Sequence, residues 1–290
     1  MADQSTLLPR VATPGGTAAP FGGRVRRLVG PLGRRLRGAA DSPPVRLITA
    51  IASWLVVAEA VTLAAGASAG VFAHSILLVL LLGLSLRLGS GSMQRLTLSV
   101  AVLPLIRILS LALPAAIVPI VYWYLEIGLA GIESILLVMR RLDLSPAQVG
   151  LRRTSIAEIA TVGVLGAILG LPAYLIGGRV DLGHGGGLVG LAVASAVVVV
   201  FVGFFEELLF RGLIQSAGTA LFSRGGVLIS IGATVLMYSA SLNPRYIIFM
   251  ALVATLFGLV ARRSGSIVAP IVGHAALALM QLIVLPLVAP

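Results

Sequence analysis

From Arg46 onward the chain is a series of long apolar runs separated by short polar, proline- or glycine-containing breaks. The runs fall near 47–66, 71–88, 97–112, 115–139, 156–177, 187–207, 226–242, 246–261 and 266–288. Most approach the ~17–25 residues that a helix needs to cross a bilayer hydrocarbon core. Pro114 and Pro119 break the sequence between the third and fourth runs, which are therefore either two spans or one interrupted segment. The pattern predicts an all-α, polytopic transmembrane helical bundle of eight or nine spans.

Residues 1–45 have no apolar periodicity and are rich in Pro, Gly, Ala and Arg. They are predicted to be a disordered basic tail, and Arg24, Arg26, Arg27, Arg34, Arg35 and Arg37 suit it to anionic lipid headgroups. The first long apolar run begins only near Arg46, which argues against a cleavable signal peptide. The division predicted is a tail over 1–45, N-terminal transmembrane helices over 46–141, and a core over 142–290. The core carries most of the polar groups at membrane depth.

Composition supports the membrane assignment. Hydrophobic residues make up 58% of the chain, charged residues 11%, and the mean hydropathy is +1.08. A soluble domain carries roughly 25% charged residues. The net charge of +11 would suit a nucleic-acid partner, but the placement of the arginines points to topology instead. With nine spans and a cytoplasmic N-terminus, one side holds the tail's arginines plus Arg87, Arg95, Arg140, Arg141, Arg152, Arg153, Arg211, Arg224, Arg262 and Arg263. The other side holds only Arg179 and Arg245, and Arg107 falls within a span. This is the asymmetry of a plasma-membrane protein with positive loops inside; a bacterial membrane is the expected setting, and no nucleic-acid partner is expected. The absence of cysteine excludes disulfides, thiolate metal sites and a cysteine nucleophile.

Three places in the second half put polar groups in apolar surroundings. The first is Gly203-Phe-Phe-Glu-Glu-Leu-Leu-Phe-Arg-Gly212, with Glu206, Glu207 and Arg211. Carboxylates at membrane depth cost on the order of 3 kcal/mol each by insertion scales, so they need a partner, water or a function. Glu207 and Arg211 are four apart and share a helix face, so they are predicted to pair. Glu206 points about 100° away and is free to face a cavity. The second place is Ser239 and Ser241 with Asn243-Pro244; the third is His274 in Ile-Val-Gly-His-Ala-Ala-Leu-Ala. His184 reads as a solvated loop residue and His74 as an interfacial one. Glu59, Glu126 and Glu133, in the first half, suggest no arrangement beyond helix contacts.

The sequence Glu206-Glu207-x-x-x-Arg211-Gly212 resembles the first motif of the CPBP intramembrane proteases, also called the CAAX-protease and bacteriocin-processing (ABI) family. The order of the following pieces is similar too: Leu242-Asn243-Pro244, then Ala261-Arg-Arg-Ser-Gly-Ser266, then Ile267-Val-Ala-Pro-Ile-Val-Gly-His274. The connection Leu144-Ser-Pro-Ala-Gln-Val-Gly-Leu-Arg-Arg153 is also like that of many members, so the resemblance covers about 142–290. It implies that Glu206 activates a water, that Glu207 and Arg211 are a structural pair, and that His274 donates to the oxyanion. A carboxylate withdrawn from water is a stronger base, and an imidazole N–H can meet a developing oxyanion.

Two positions depart from the family pattern. The second motif, F-x-x-x-H, aligns with Met237 and Ser241, or one residue later with Tyr238 and Leu242, and neither alignment supplies a histidine. In the third motif, H-x-x-x-N, the asparagine position is Ala278; Gln281 lies on roughly the same face two turns on. A catalytic zinc normally takes three protein ligands, and only Glu206, His274 and an arginine-engaged Glu207 are at hand. No metal and no other cofactor is expected.

The sequence thus leaves two readings open. One is an intramembrane endopeptidase acting on a peptide or membrane-tethered protein within the lipid phase. The other is a catalytically impaired relative that binds a peptide or lipid in the same cavity, in an immunity or chaperone-like role. A proton-coupled transporter with Glu206 and His274 as a relay is disfavoured, because no inverted repeat is evident. The arginine asymmetry makes its own prediction. Cysteines placed at Ser264 and Gly185 should be labelled by impermeant reagents from opposite sides of the membrane, and labelling of both from one side would refute the topology.

Overall fold

The computed structural model describes residues 42–114, 117–183 and 187–288. The basic tail up to residue 41, together with His184 and Gly185, lies outside the described residues. The chain divides into a unit ending at Thr49 and a unit from Ala50 to Pro290, and the second unit holds the helical bundle.

Nine helices account for nearly all of the described residues, and no strand occurs among them. They are α1 (Pro43–Ala65), α2 (Ala67–Arg87), α3 (Ser92–Ala112), α4 (Ile120–Arg141), α5 (Ile156–Gly177), α6 (Gly187–Phe222), α7 (Gly225–Tyr238), α8 (Pro244–Ser264) and α9 (Val268–Val288). Eight are long and apolar enough to cross a membrane, and α7, with its 3₁₀ extension Ser239–Ser241, is a shorter apolar helix. The predicted helical bundle is therefore found. The third and fourth apolar runs form separate helices, because the chain leaves the helix at Leu113-Pro114 and resumes after Pro119, which has no N–H to donate.

The largest departure from the predicted boundaries is α6. The apolar pattern ends near residue 207, yet the helix runs on to Phe222 and spans 36 residues. It passes its charged segment because the polar side chains there find partners within the bundle. Arg211 is paired with Glu207, and Gln215 Nε2 donates to the Gly258 carbonyl at 2.9 Å. The α6 backbone is not uniform. It widens into π turns over Val199–Phe204 and Leu208–Gln215, with Glu206 and Glu207 in the short α-helical piece between them. Such widened turns occur often at functional sites, because they turn side chains away from the regular helical face.

Close backbone approach sets the positions of the core helices. Without a hydrophobic driving force between helices in lipid, small residues let the backbones pack directly. Gly166 of α5 lies against Gly273 of α9, and Gly203 of α6 lies against Ala275 of α9. These contacts flank His274 on both sides in sequence, so α9 is wedged between α5 and α6 with the imidazole turned to the carboxylate pair. On the other side of α6, Phe201 and Phe205 fill the space over Gly128 and Gly131 of α4. At the ends, Asn243 caps α8 by accepting from Tyr246 N–H at 3.2 Å and donates to the Ile176 carbonyl at 2.8 Å. This ties the α7–α8 turn to the end of α5.

The first half holds an arrangement that its sequence does not disclose. His74, expected at the interface, is completely buried, with Nε2 3.4 Å from Glu59 Oε1. Arg107 completes the cluster, its Nε and Nη2 donating to the two Glu59 oxygens at 2.6 and 2.8 Å. The apolar pattern missed this because the three residues lie on three helices, and only the packing of α1, α2 and α3 brings them together. Glu126 and Glu133 are exposed on α4.

The wedge predicts a sensitive position. A Cβ on Gly203 would lie 2.6 Å from Ala275 Cβ and 2.7 Å from its Cα. Gly203→Ala should therefore cost about 1–3 kcal/mol of stability, the usual range for overpacking, measurable as a lower unfolding midpoint in detergent. An unchanged midpoint would mean that α9 is not held by this contact.

Candidate active site

Glu207 is the most enclosed group of the site, with no exposed surface. Its Oε1 accepts from Arg211 Nη1 at 2.8 Å and lies 2.9 Å from His274 Nδ1. Arg211 is fixed in turn by donating from Nη2 to the Ala254 carbonyl of α8 at 3.2 Å. One carboxylate thus joins α6, α8 and α9. The pairing of Glu207 with Arg211 matches the i,i+4 spacing; its contact with His274 is not evident from sequence.

Glu206 faces the other way. It is 16% exposed along its side chain and lines a cavity of about 530 Å³ enclosed by α3 to α9. Its Oε2 accepts from the Tyr238 hydroxyl at 2.9 Å and stands 3.9 Å from His274 Nε2. Two hydrogen bonds of about 2.8 Å to one water, at a tetrahedral angle, place their partners about 4.6 Å apart. The 3.9 Å gap between Glu206 and His274 is somewhat under that width, so a shared water is held with a small opening of the pair.

The structure thus places Glu206, Glu207, Arg211 and His274 in one constellation. It treats the two departures from the motif differently. Ser241 does not lie between Glu206 and His274. It is exposed in the α7–α8 turn and accepts from Asn243 N–H at 3.3 Å. Its place beside the carboxylate is taken by Tyr238, because the 3₁₀ turn Ser239–Ser241 carries Ser241 out to the rim of the cavity. Ala278 lines the cavity as the motif alignment expects, but supplies no polar group. Gln281 also lines it, and its amide is hydrogen-bonded with the Tyr246 hydroxyl at 3.1–3.2 Å. Tyr238 and Tyr246 pack edge-on, 5.8 Å between ring centres, forming a polar aromatic wall beside Glu206.

Sequence reasoning missed three members of this cavity. Tyr238 appears in the second alignment of the motif, but only at its phenylalanine position. Tyr246 carries no signal beyond its place after Asn243-Pro244. Arg107, from the N-terminal half, reaches the cavity wall while paired with Glu59.

The donor set does not fit a metal. Glu207 is committed to Arg211 and to His274 Nδ1, which leaves Glu206 and His274 Nε2 as ligands. No group of three or more His, Cys, Asp or Glu able to hold an ion occurs among the described residues. Three ligands are the usual minimum for catalytic zinc.

A buried carboxylate–histidine site thus lies inside a bundle of helices long and apolar enough to cross a membrane. Residues 188–280 match the family model described as type II CAAX prenyl endopeptidase Rce1-like. The matched stretch, less than half of the chain, contains Glu206, Glu207, Arg211, Tyr238 and His274. It is similar to the CPBP intramembrane proteases in the segment where the motif itself carries that resemblance. No curated protein and no solved structure matches the chain.

The geometry separates the two glutamates by their effect on stability. Glu207→Ala leaves Arg211 and His274 Nδ1 without their buried partner and should cost on the order of 3–5 kcal/mol. Glu206→Ala removes a cavity-facing group and should leave the unfolding midpoint near that of the parent. Equal losses for the two variants would contradict this division of roles.

Proposed function

We propose that the chain is an intramembrane peptidase in which Glu206 and His274 together activate a water. The observation that carries the reading is the 3.9 Å approach of Glu206 Oε2 to His274 Nε2 at the wall of a cavity, with Nδ1 of the same ring held by Glu207. Glu207 Oε1 already accepts from Arg211, so it is an acceptor for the Nδ1 hydrogen. A neutral imidazole then carries its lone pair on Nε2. In that tautomer His274 accepts from the water and does not donate to the oxyanion, which changes the role that the family resemblance gives it.

The water oxygen attacks the scissile carbonyl carbon while one of its protons passes to Glu206. The carbonyl π electrons move onto oxygen, forming the tetrahedral oxyanion. Once protonated, Glu206 is a weaker acceptor for Tyr238, whose hydroxyl turns toward the oxyanion; the amide of Gln281 is the second candidate donor. Collapse of the intermediate breaks the C–N bond, and Glu206 returns its proton to the leaving amine. Lipid surrounds the bundle, and the substrate is a peptide or a segment of a membrane-tethered protein.

One observation favours the second reading, a binding relative with impaired chemistry. Tyr238 stands at the carboxylate where the family has a histidine, and its hydroxyl occupies an oxygen of the proposed base.

The discriminating variants come from the cavity wall. Glu206→Gln should abolish hydrolysis of a peptide library by the purified chain in lipid. Ala278→Asn, which adds an amide to the cavity wall and leaves Tyr238 in place, should raise the rate, since one oxyanion donor is typically worth roughly 100-fold or more. Ser241→His, at the cavity rim, should not. A parent chain with no hydrolysis and no gain from Ala278→Asn would favour the binding reading.

A further inference from the structure

The cavity in front of Glu206 has a direction. Past the carboxylate it is lined by Tyr246 and Gln281, and beyond them by Gly177, Ser241 and Asn243. Gly177 is the last residue of α5, while Ser241 and Asn243 form the α7–α8 turn. Gly177 and Ser241 are exposed, so the cavity reaches the surface at these helix ends. Among the described residues, none from the connection after α4, the α6–α7 turn or the α8–α9 turn contributes to its lining. Those connections lie at the opposite helix ends.

The two sets of ends differ in charge. The helix ends and connections away from the cavity carry Arg140, Arg141, Arg152, Arg153, Arg224, Arg262 and Arg263, whereas those at its mouth carry Arg179 and Arg245. Arginine-rich loops stay on the cytoplasmic side. We propose that the site is entered from the exoplasmic side, between the end of α5 and the α7–α8 turn. The substrate class is then a peptide segment at the outer face of the membrane, either translocated or tethered to the outer leaflet. A lipidated C-terminus in the cytoplasm would meet the closed ends of these helices. What is cut rests on the peptidase reading; where it enters rests only on the cavity and the arginines.

The chain's lack of cysteine makes the test direct. Ala278→Cys and Met237→Cys each place a thiol on the cavity wall, and Ser264→Cys marks the arginine-rich side. The full-length variants, expressed in bacterial cells, are exposed to a small sulfonate-bearing methanethiosulfonate, which does not cross the membrane. Either cavity cysteine should react in intact cells, while Ser264→Cys should react only after permeabilisation. Two cavity variants are used so that a folding defect in one does not remove the readout. Cavity cysteines that stay unreactive in intact cells, whether or not permeabilisation exposes them, overturn the proposal. So does reaction of Ser264→Cys from the same side as the cavity. The labelling does not depend on catalysis. A chain that labels from outside but never hydrolyses a peptide would refute the peptidase reading and leave the entry side standing.

Discussion

The site depends on one carboxylate that does not face it. Glu207 has no exposed surface and holds two groups through one oxygen, the Arg211 guanidinium and the His274 imidazole. A charged group in this position is tolerated only when paired and hydrogen-bonded, because its desolvation costs several kcal/mol. The pairing fixes more than a charge. It sets the ring of His274 in rotation about its axis, directs Nε2 at Glu206, and through Arg211 links α6 to the backbone of α8. Adjacent glutamates thus become unlike groups: one is committed to architecture, and the other is left beside a cavity with a single tyrosine on it.

That arrangement requires α9 to come very close to α6, and the means is the removal of side chains. Gly203 and Gly166 admit the α9 backbone at Ala275 and Gly273, the residues on either side of His274. The π turns of α6 do the complementary work. By widening the helix before and after Glu206-Glu207 they alter the 100° steps of a regular helix, so that the pair can meet both His274 and the cavity. Packing density and local helix geometry therefore serve one requirement, which is to bring an imidazole between two carboxylates.

Much of this was legible in the chain. The helical class and the approximate spans followed from apolar run lengths, since a bilayer imposes a nearly fixed length on each crossing. The Glu207–Arg211 pair followed from spacing within one helix. What was not legible required knowing which helices touch. The contact of Glu207 with His274 joins positions 67 apart in sequence, and that of Tyr238 with Glu206 joins positions 32 apart. Ser241, aligned with the histidine of the second motif, stands away from the carboxylate for a local reason. A regular helix would have carried it to the site one turn after Met237, but the chain tightens to 3₁₀ at Ser239 and turns out at Leu242, where φ is 53°. The position beside the carboxylate falls to Tyr238, the last residue of the α-helix.

The N-terminal helices are more than additional spans around the core. Glu59, His74 and Arg107 form a second buried charged cluster, with a two-point guanidinium–carboxylate contact among the tighter geometries such pairs adopt. Arg107 also lines the cavity that contains Glu206, with Ser110 accepting from its Nη1 at 3.2 Å. Arginine offers five donors in a rigid fork, and three of them are used in these contacts. Since an unpaired guanidinium in this setting would be costly, Glu59 on α1 is what allows α3 to present a cation to the cavity wall. The same logic governs both ends of the cavity. In each, a buried carboxylate neutralises an arginine and touches a histidine, and the helices it joins differ. The first half thereby contributes a wall with its own electrostatic character to a cavity whose paired glutamates and histidine all come from the second.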